Sequence, residues 1–173
     1  MTYREWKYED ILAIEELEKR CFSSPWSYRN FADLFASKHF YGVLCEDNGK
    51  IVGYACESVV FETADTENIA VAEEYRQRGI GNDLLERLER EAKDRGAESC
   101  LLEVRVSNAP AMRLYLQRGY VGIYTRQRYY PDGEDAVIMN GYWNEKDAFN
   151  QEWLDAGAIV VTSTVDAVDA HDG

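Results

Sequence analysis

The sequence predicts a mixed α/β (α+β) domain built on a partly antiparallel sheet, and three observations predict it. Apolar runs of strand length recur seven times. Four stretches between them carry apolar residues at helical spacing, with charges on the opposite face. The resulting order, β-α-α-β-β-β-α-β-α-β-β, joins some strands by tight turns and others through helices, so the sheet must be mixed. No segment repeats internally.

Thr2 to Lys7 alternates weakly and reads as a first strand. Ile11, Leu12, Ile14, Leu17, Cys21 and Phe22 fall at helical spacing, with Glu and Lys between them. Pro25 in Ser23-Ser24-Pro25-Trp26-Ser27 stops that helix, and Ser27 is the N-cap of a second one carrying Phe31, Leu34 and Phe35 inward. Phe40 to Glu46 and Ile51 to Phe61 form a hairpin about Asp47-Asn48-Gly49-Lys50. Thr63-Ala64-Asp65 reads as a connection into a strand from Glu67 to Val71. The helix after Gly79 buries Ile80, Leu84, Leu85, Leu88 and Ala92 and stops at Gly96. Ser99 to Val106 is a fifth strand. A helix capped by Ser107 or Asn108 carries Met112, Leu114 and Tyr115 and ends at Gly119. Tyr120 to Arg128 and Ala136 to Asn140 are the last strands, joined by the loop Tyr129 to Asp135. Residues 1–143 make one domain. Residues 144–173 form an acidic extension with seven acids and one lysine, read as a short helix followed by a disordered end.

The chain has 173 residues, enough for one substantial core. A net charge of −13 argues against nucleic acid or an anionic membrane as the main partner. It suits a basic peptide partner, or life in high salt. Cys21, Cys45, Cys56 and Cys100 form no C-x-x-C motif and sit among apolar residues, so buried free thiols in a reducing cytoplasm are expected. The first residues are too polar for a signal peptide, and no apolar run approaches the ~20 residues of a membrane helix. His39 and His171 are far apart, so no metal site is expected.

The organising stretch is Thr66 to Asn82, where a strand crosses a charged turn and meets Arg76-Gln77-Arg78-Gly79-Ile80-Gly81 at a helix start. First-turn N–H groups and the helix dipole favour an anion there. Gly79 and Gly81 allow close backbone approach, and Arg76 and Arg78 add positive charge. The spacing R-x-x-G-x-G is neither the Rossmann nor the P-loop fingerprint, and two bare glycines equally suit an ordinary strand-to-helix connection.

Other residues admit two readings each. Glu103 in Leu101-Leu102-Glu103-Val104-Arg105-Val106 is either a solvent-facing position of an alternating strand or a carboxylate aimed into a cleft to accept a proton. Tyr115 is either helix packing or a phenol placed to protonate a leaving thiolate. Asn108 is a helix cap or a contact to a ligand amide. Tyr129, Tyr130 and Trp26 are an exposed lip over a cleft or packing at the sheet edge.

Four separated segments, Ser24 to Ser27 (SPWS), Asn68 to Gly81 (NIAVAEEYRQRGIG), Leu102 to Tyr120 (LEVRVSNAPAMRLYLQRGY) and Arg128 to Met139 (RYYPDGEDAVIM), resemble in order the GNAT acetyltransferases of the RimI-type, protein N-α-acetylating group. The resemblance covers about residues 1 to 141. It implies a GNAT fold: a mostly antiparallel seven-stranded sheet, flanked by about four helices and splayed between the fourth and fifth strands. It implies acetyl-CoA as co-substrate and a protein N-terminus, of Ala or Ser type and possibly ribosomal, as acceptor. By that resemblance Glu103 is the general base and Tyr115 the general acid. Ile69, Ala70 and Val71 pair with pantetheine and acetyl. Gln77, Arg78, Gly79, Ile80, Gly81 and Asn82 hold the pyrophosphate, and Asn108 adds a coenzyme contact. Trp26, Tyr129 and Tyr130 border the peptide. A lysine side chain or small amine as acceptor, or a non-catalytic acyl-CoA-binding module, are the alternatives. The acidic extension and the strong net charge depart from the family's minimal pattern and leave the target open.

Overall fold

The computed structural model describes residues 1–142, so the expected C-terminal extension lies outside the described residues. The elements are β1 (Thr2–Glu5), α1 (Ile11–Cys21), α2 (Tyr28–Phe35), β2 (Phe40–Asp47), β3 (Lys50–Val60), β4 (Thr63–Val71), α3 (Ile80–Asp94), β5 (Ser99–Arg105), α4 (Ala109–Gln117), β6 (Tyr120–Arg126) and β7 (Ala136–Tyr142), with short 3-10 turns at Tyr8–Asp10 and Glu73–Tyr75. The strands form one seven-stranded sheet in the order β1-β2-β3-β4-β5-β7-β6. Every pairing is antiparallel except β4 with β5, which is parallel.

Local chemistry accounts for the punctuation. Ser27 accepts from the Asn30 amide while the Asn30 side chain accepts from the Ser27 amide, a reciprocal cap that starts α2. Asn48 and Gly49 both take positive φ (51° and 81°), as a two-residue hairpin turn of the right twist requires. Only Phe31 of the expected inward α2 residues is fully buried; Leu34 and Phe35 are half-buried. The expected connection Thr63-Ala64-Asp65 is instead the start of β4. The turn is tightened to Phe61 and Glu62, with Phe61 at φ 53°, and Thr63 pairs at once with Val60.

Each face of the sheet carries its own core. On one face α3 and α4 bury Ile80, Leu84, Leu85, Leu88, Met112 and Tyr115 against Ile69, Val71, Leu102 and Val104. On the other, α1 and α2 bury Ile11, Ile14, Leu17 and Phe31 against Leu44, Tyr54, Cys56 and Ala70. Successive β4 residues therefore feed opposite cores, as strand alternation demands. Gly53 lets the start of α3 sit close on the sheet. A Cβ there would lie 3.2 Å from Ile80 Cγ2 and 3.3 Å from Leu84 Cδ1. Cys45, Cys56 and Cys100 are buried free thiols, and Cys21 is half-buried.

The sheet is not uniform. Parallel pairing of β4 with β5 is confined to Thr63↔Ser99, Ala64↔Cys100 and Asp65↔Leu101. Beyond these pairs the strands part, while β4 runs on to Val71 and β5 to Arg105. The β3–β4 register slips between Cys56 and Glu57, which leaves Glu67 as the extra residue of a bulge where the parting begins.

Candidate active site at the β4–β5 splay

A cleft of about 410 Å³ opens on the α1/α2 side of the splay, lined by β4, β5 and β6 residues together with Trp26, Tyr129 and Ile138. Glu103 is on its wall, half-buried, so the strand alternation that puts Glu103 opposite Leu102 and Val104 aims it into a cleft and not into bulk water. Arg105, two residues on, is only 3% exposed. Its guanidinium donates to Asp132 (2.7 Å) and Glu134 (2.9 Å) and lies 4.1 Å from the centroid of Tyr130. This strand position, on the same face as Glu103, is the anchor of the Tyr129–Asp135 loop.

That anchor separates the two tyrosines. Tyr130 is 5% exposed and packs beneath the loop, the packing alternative of the two that the sequence leaves open. Tyr129 stays 42% exposed, meets Tyr130 edge-on at 5.2 Å and lines the cleft. Interaction with the neighbouring Glu103 carboxylate, with partial burial behind it, pushes its phenol up to about 12. It therefore stays protonated, as a donor, at neutral pH. Trp26 faces the cleft from the α1–α2 loop and packs on Phe31 at 5.3 Å.

Two further carboxylates share the cleft, Asp65 and Glu67. Burial, then the charge of Glu103, raises the Asp65 carboxyl above its ordinary range. Burial also raises Glu67, against a 3.0 Å hydrogen bond from Ser58. Three carboxylates at one opening create a field suited to a cation. Reading Thr63 to Asp65 as a connection hides Asp65, and Glu67 falls at the start of the expected strand with nothing to mark it. Once β4 is extended back to Thr63, period-2 alternation puts Asp65 on the Glu103 side, whereas the bulge at Glu67 has no sequence signal. Tyr124 and Arg126 of β6 complete the lining and were not singled out either.

The end of β4 and the glycine turn before α3 lie toward the opposite face. Ile69, Ala70 and Val71 are fully buried, and their side chains serve the two cores. Gly79, the N-cap of α3, takes φ 81° and contributes no side-chain cap; Gln77 also takes positive φ, 63°. Alternating left-handed residues before a helix turn successive N–H groups toward one concavity, a shape that accepts phosphate. A Cβ at Gly79 would meet nothing within 4 Å, so the space beside it is open. Ile80 and Gly81 are buried, and Asn82 Oδ1 accepts from Arg118 at 3.0 Å.

The arginines differ from expectation. Arg76 Nε donates to the Val71 carbonyl at 3.0 Å and braces the strand end, while Arg78 donates to Glu74 O and covers the Tyr75 ring. Asn108 caps α4, its Oδ1 accepting from Ala111 N at 3.2 Å. Tyr115 is 1% exposed, 5.8 Å from the Tyr120 ring in the α3/α4 core, and is not part of the cleft lining. Glu103 and Tyr115 thus stand on opposite faces of the sheet, and only the splay joins the two faces.

Comparison with known proteins agrees with this geometry. Residues 11–120 match the model of the acetyltransferase (GNAT) family. The chain is 40% identical over 133 residues to the ribosomal protein bS18-alanine N-acetyltransferase of Escherichia coli K12, covering 75% of this chain and 89% of that protein. It is 30% identical over 143 residues to an N-alpha-acetyltransferase of Sulfurisphaera tokodaii, covering 75% and 86%. The crystal structure of the E. coli ribosomal-protein-S18-alanine N-acetyltransferase superimposes with a TM-score of 0.77 at 37% identity, over 82% of this chain and 92% of that one. Ard1 from Thermoplasma volcanium gives 0.76 at 25% identity, over 82% and 96%.

Proposed function

The chain belongs to the GNAT family of acetyl-CoA-dependent acetyltransferases, and from that premise we propose that it acetylates the free α-amino group of a protein N-terminus. The carrying observation is the acidic cleft at the splay: Glu103 on one wall, Tyr129 and Trp26 at the rim, and the β4 backbone unpaired by β5 beyond Asp65. The names of the relatives support an N-terminal acceptor, with a ribosomal protein beginning in alanine as the first candidate. The residues fit the coenzyme: an open left-handed glycine at a helix start suits a pyrophosphate, and a bare strand edge suits an amide-bearing arm.

When bound, acetyl-CoA supplies an activated thioester. Asp65, Glu67 and Glu103 draw the cationic N-terminus into the cleft. An α-ammonium has a pKa of ~8 and must lose its proton before its nitrogen can attack. Glu103 accepts that proton, directly or through a water. The backbone N–H of Val71 donates to the carbonyl oxygen as negative charge develops there. Tyr115 gives its phenolic proton to the departing sulfur, the second proton that the nitrogen sheds on becoming an amide passes to solvent, and exchange with solvent returns Glu103 and Tyr115 to their starting states. The acetyl group passes straight to nitrogen. Burial raises the Cys56 and Cys100 thiols and so disfavours the nucleophilic thiolate at either.

The test is kinetic. Glu103→Gln lowers kcat by ~10²–10⁴ with the Kd for acetyl-CoA unchanged, and Tyr115→Phe lowers kcat without raising peptide KM. Parent-like turnover of Glu103→Gln across the pH range removes Glu103 from the base role. Full activity of Tyr115→Phe leaves its ring as packing only.

A further inference from the structure

One fully buried carboxylate has no part in the chemistry above. Glu18, on α1, is 0% exposed. One oxygen accepts from the Tyr54 hydroxyl and from Asn68 Nδ2 at 2.8 Å. The other accepts from the backbone amide of Trp26 at 2.9 Å. Tyr54 and Asn68 are also 0% exposed. Burying a carboxylate is costly, and an apolar side chain of similar volume would fill the space as well. What an apolar residue cannot do is accept from these donors at once.

The donors come from both sides of the cleft. Trp26 belongs to the α1–α2 loop and forms one rim. Asn68 follows the bulged Glu67, and its own Oδ1 accepts from Ile69 N at 3.1 Å, which fixes the strand where it leaves β5. Glu15, one turn earlier on α1, accepts from Tyr28 N at 2.9 Å, so the helix grips the loop on both sides of Ser27. Trp26 in turn leans on Phe31. Glu18 bonds directly to both the Trp26 rim and the β4 wall, and it does not line the cleft itself.

We propose that Glu18 is a positioning residue: it ties the Trp26 rim to the β4 bulge and so sets the affinity of the cleft for its acceptor. The inference rests on the reading of this cleft as the acceptor site. In Glu18→Gln the amide cannot accept on both sides, because its NH₂ must face either Trp26 N–H or the Asn68 and Tyr54 donors.

The experiment combines steady-state kinetics, using a short alanine-starting peptide, with amide hydrogen exchange at Trp26. Glu18→Gln raises peptide KM about tenfold, the equilibrium value of one hydrogen bond to a charged group. Its kcat and its KM for acetyl-CoA stay within about twofold, and the Trp26 amide exchanges at least about tenfold faster. Trp26→Ala raises peptide KM as well, and adding Glu18→Gln to it changes nothing further, because the tether acts by placing the indole that the first substitution removes. If Glu18→Gln proves unstable, Glu18→Met with Tyr54→Phe, an apolar pair, gives the same KM rise. Parent-like peptide KM in a folded Glu18 variant, additive effects with Trp26→Ala, or a kcat that falls with KM unmoved each overturn the proposal. The exchange measurement needs no substrate. A parent that acetylates no peptide refutes the function, whereas unchanged Trp26 exchange in Glu18→Gln refutes the tether.

Discussion

Glu57→Gln isolates a buried carboxyl whose effect is large enough to work out from its surroundings. Glu57 lies on β3 beneath α3, opposite Thr66 of the cleft wall. It is 0% exposed, and neither carboxyl oxygen has a hydrogen-bond partner among the described residues. Burial first, with Glu91 and Glu89 adding to it against Arg95, pushes its pKa from 4.5 up to about 9. Between these values the folded chain holds a proton that the unfolded chain has released. Stability from this group is therefore whole below pH 4.5 and falls as pH rises toward 9. The slope is about 1.4 kcal/mol per pH unit, so by pH 7 the loss is about 3 kcal/mol. Glutamine keeps the shape of the neutral acid and does not titrate. Glu57→Gln should be more stable than the parent by about 3 kcal/mol at pH 7, which is about 6–12 °C in Tm for a chain of this size. The two should converge near pH 4.5. Urea unfolding at half-unit steps from pH 4.5 to 9 measures this directly. Parallel curves across that range, or a destabilised variant at pH 8, would refute the argument that Glu57 is protonated in the fold.

Other perturbations follow from the site. Gly79→Val forces a β-branched residue into φ 81° at the start of α3, at a cost of about 1–2 kcal/mol; calorimetry should show the Kd for CoA rising at least about tenfold. Arg105→Met leaves Asp132 and Glu134 facing each other without their shared cation; peptide KM should rise about tenfold with acetyl-CoA KM steady, and an unchanged peptide KM would detach the loop from acceptor binding. Arg76→Ala frees the Val71 carbonyl it now braces; kcat should fall by a few-fold to about tenfold, and an unaltered kcat would make that brace irrelevant to catalysis.

The fold was legible because its signals are local. Asn48-Gly49 can hardly be anything but a hairpin turn, and the reciprocal Ser27–Asn30 cap starts a helix where the periodicity says one begins. The glycine turn before α3 was legible for the same reason, with Gly79 at the helix mouth. Legibility failed where tertiary contacts decide. Arg105 reads as an exposed strand residue until Asp132 and Glu134, far along the chain, close over it. Tyr129 and Tyr130 are adjacent and chemically identical, yet the Arg105 guanidinium holds one below the loop and leaves the other at the cleft. The β4 bulge changes which residues flank Glu67, and no local pattern encodes a bulge. Glu18 looks like one more polar position on an amphipathic helix until Tyr54, Asn68 and Trp26 converge on it.

Whether the acidic cleft beside Glu103 takes a protein N-terminus is tested most directly by acetyl transfer from acetyl-CoA to short peptides, each with a free or a blocked N-terminus and Ala, Ser, Met or Lys at position one. Transfer to free N-termini alone, fastest for Ala or Ser, is the expected result. Transfer that survives N-terminal blocking would contradict it and make the lysine side chain the acceptor. Transfer to no peptide, with CoA still bound, would contradict it in favour of a small amine or a binding module.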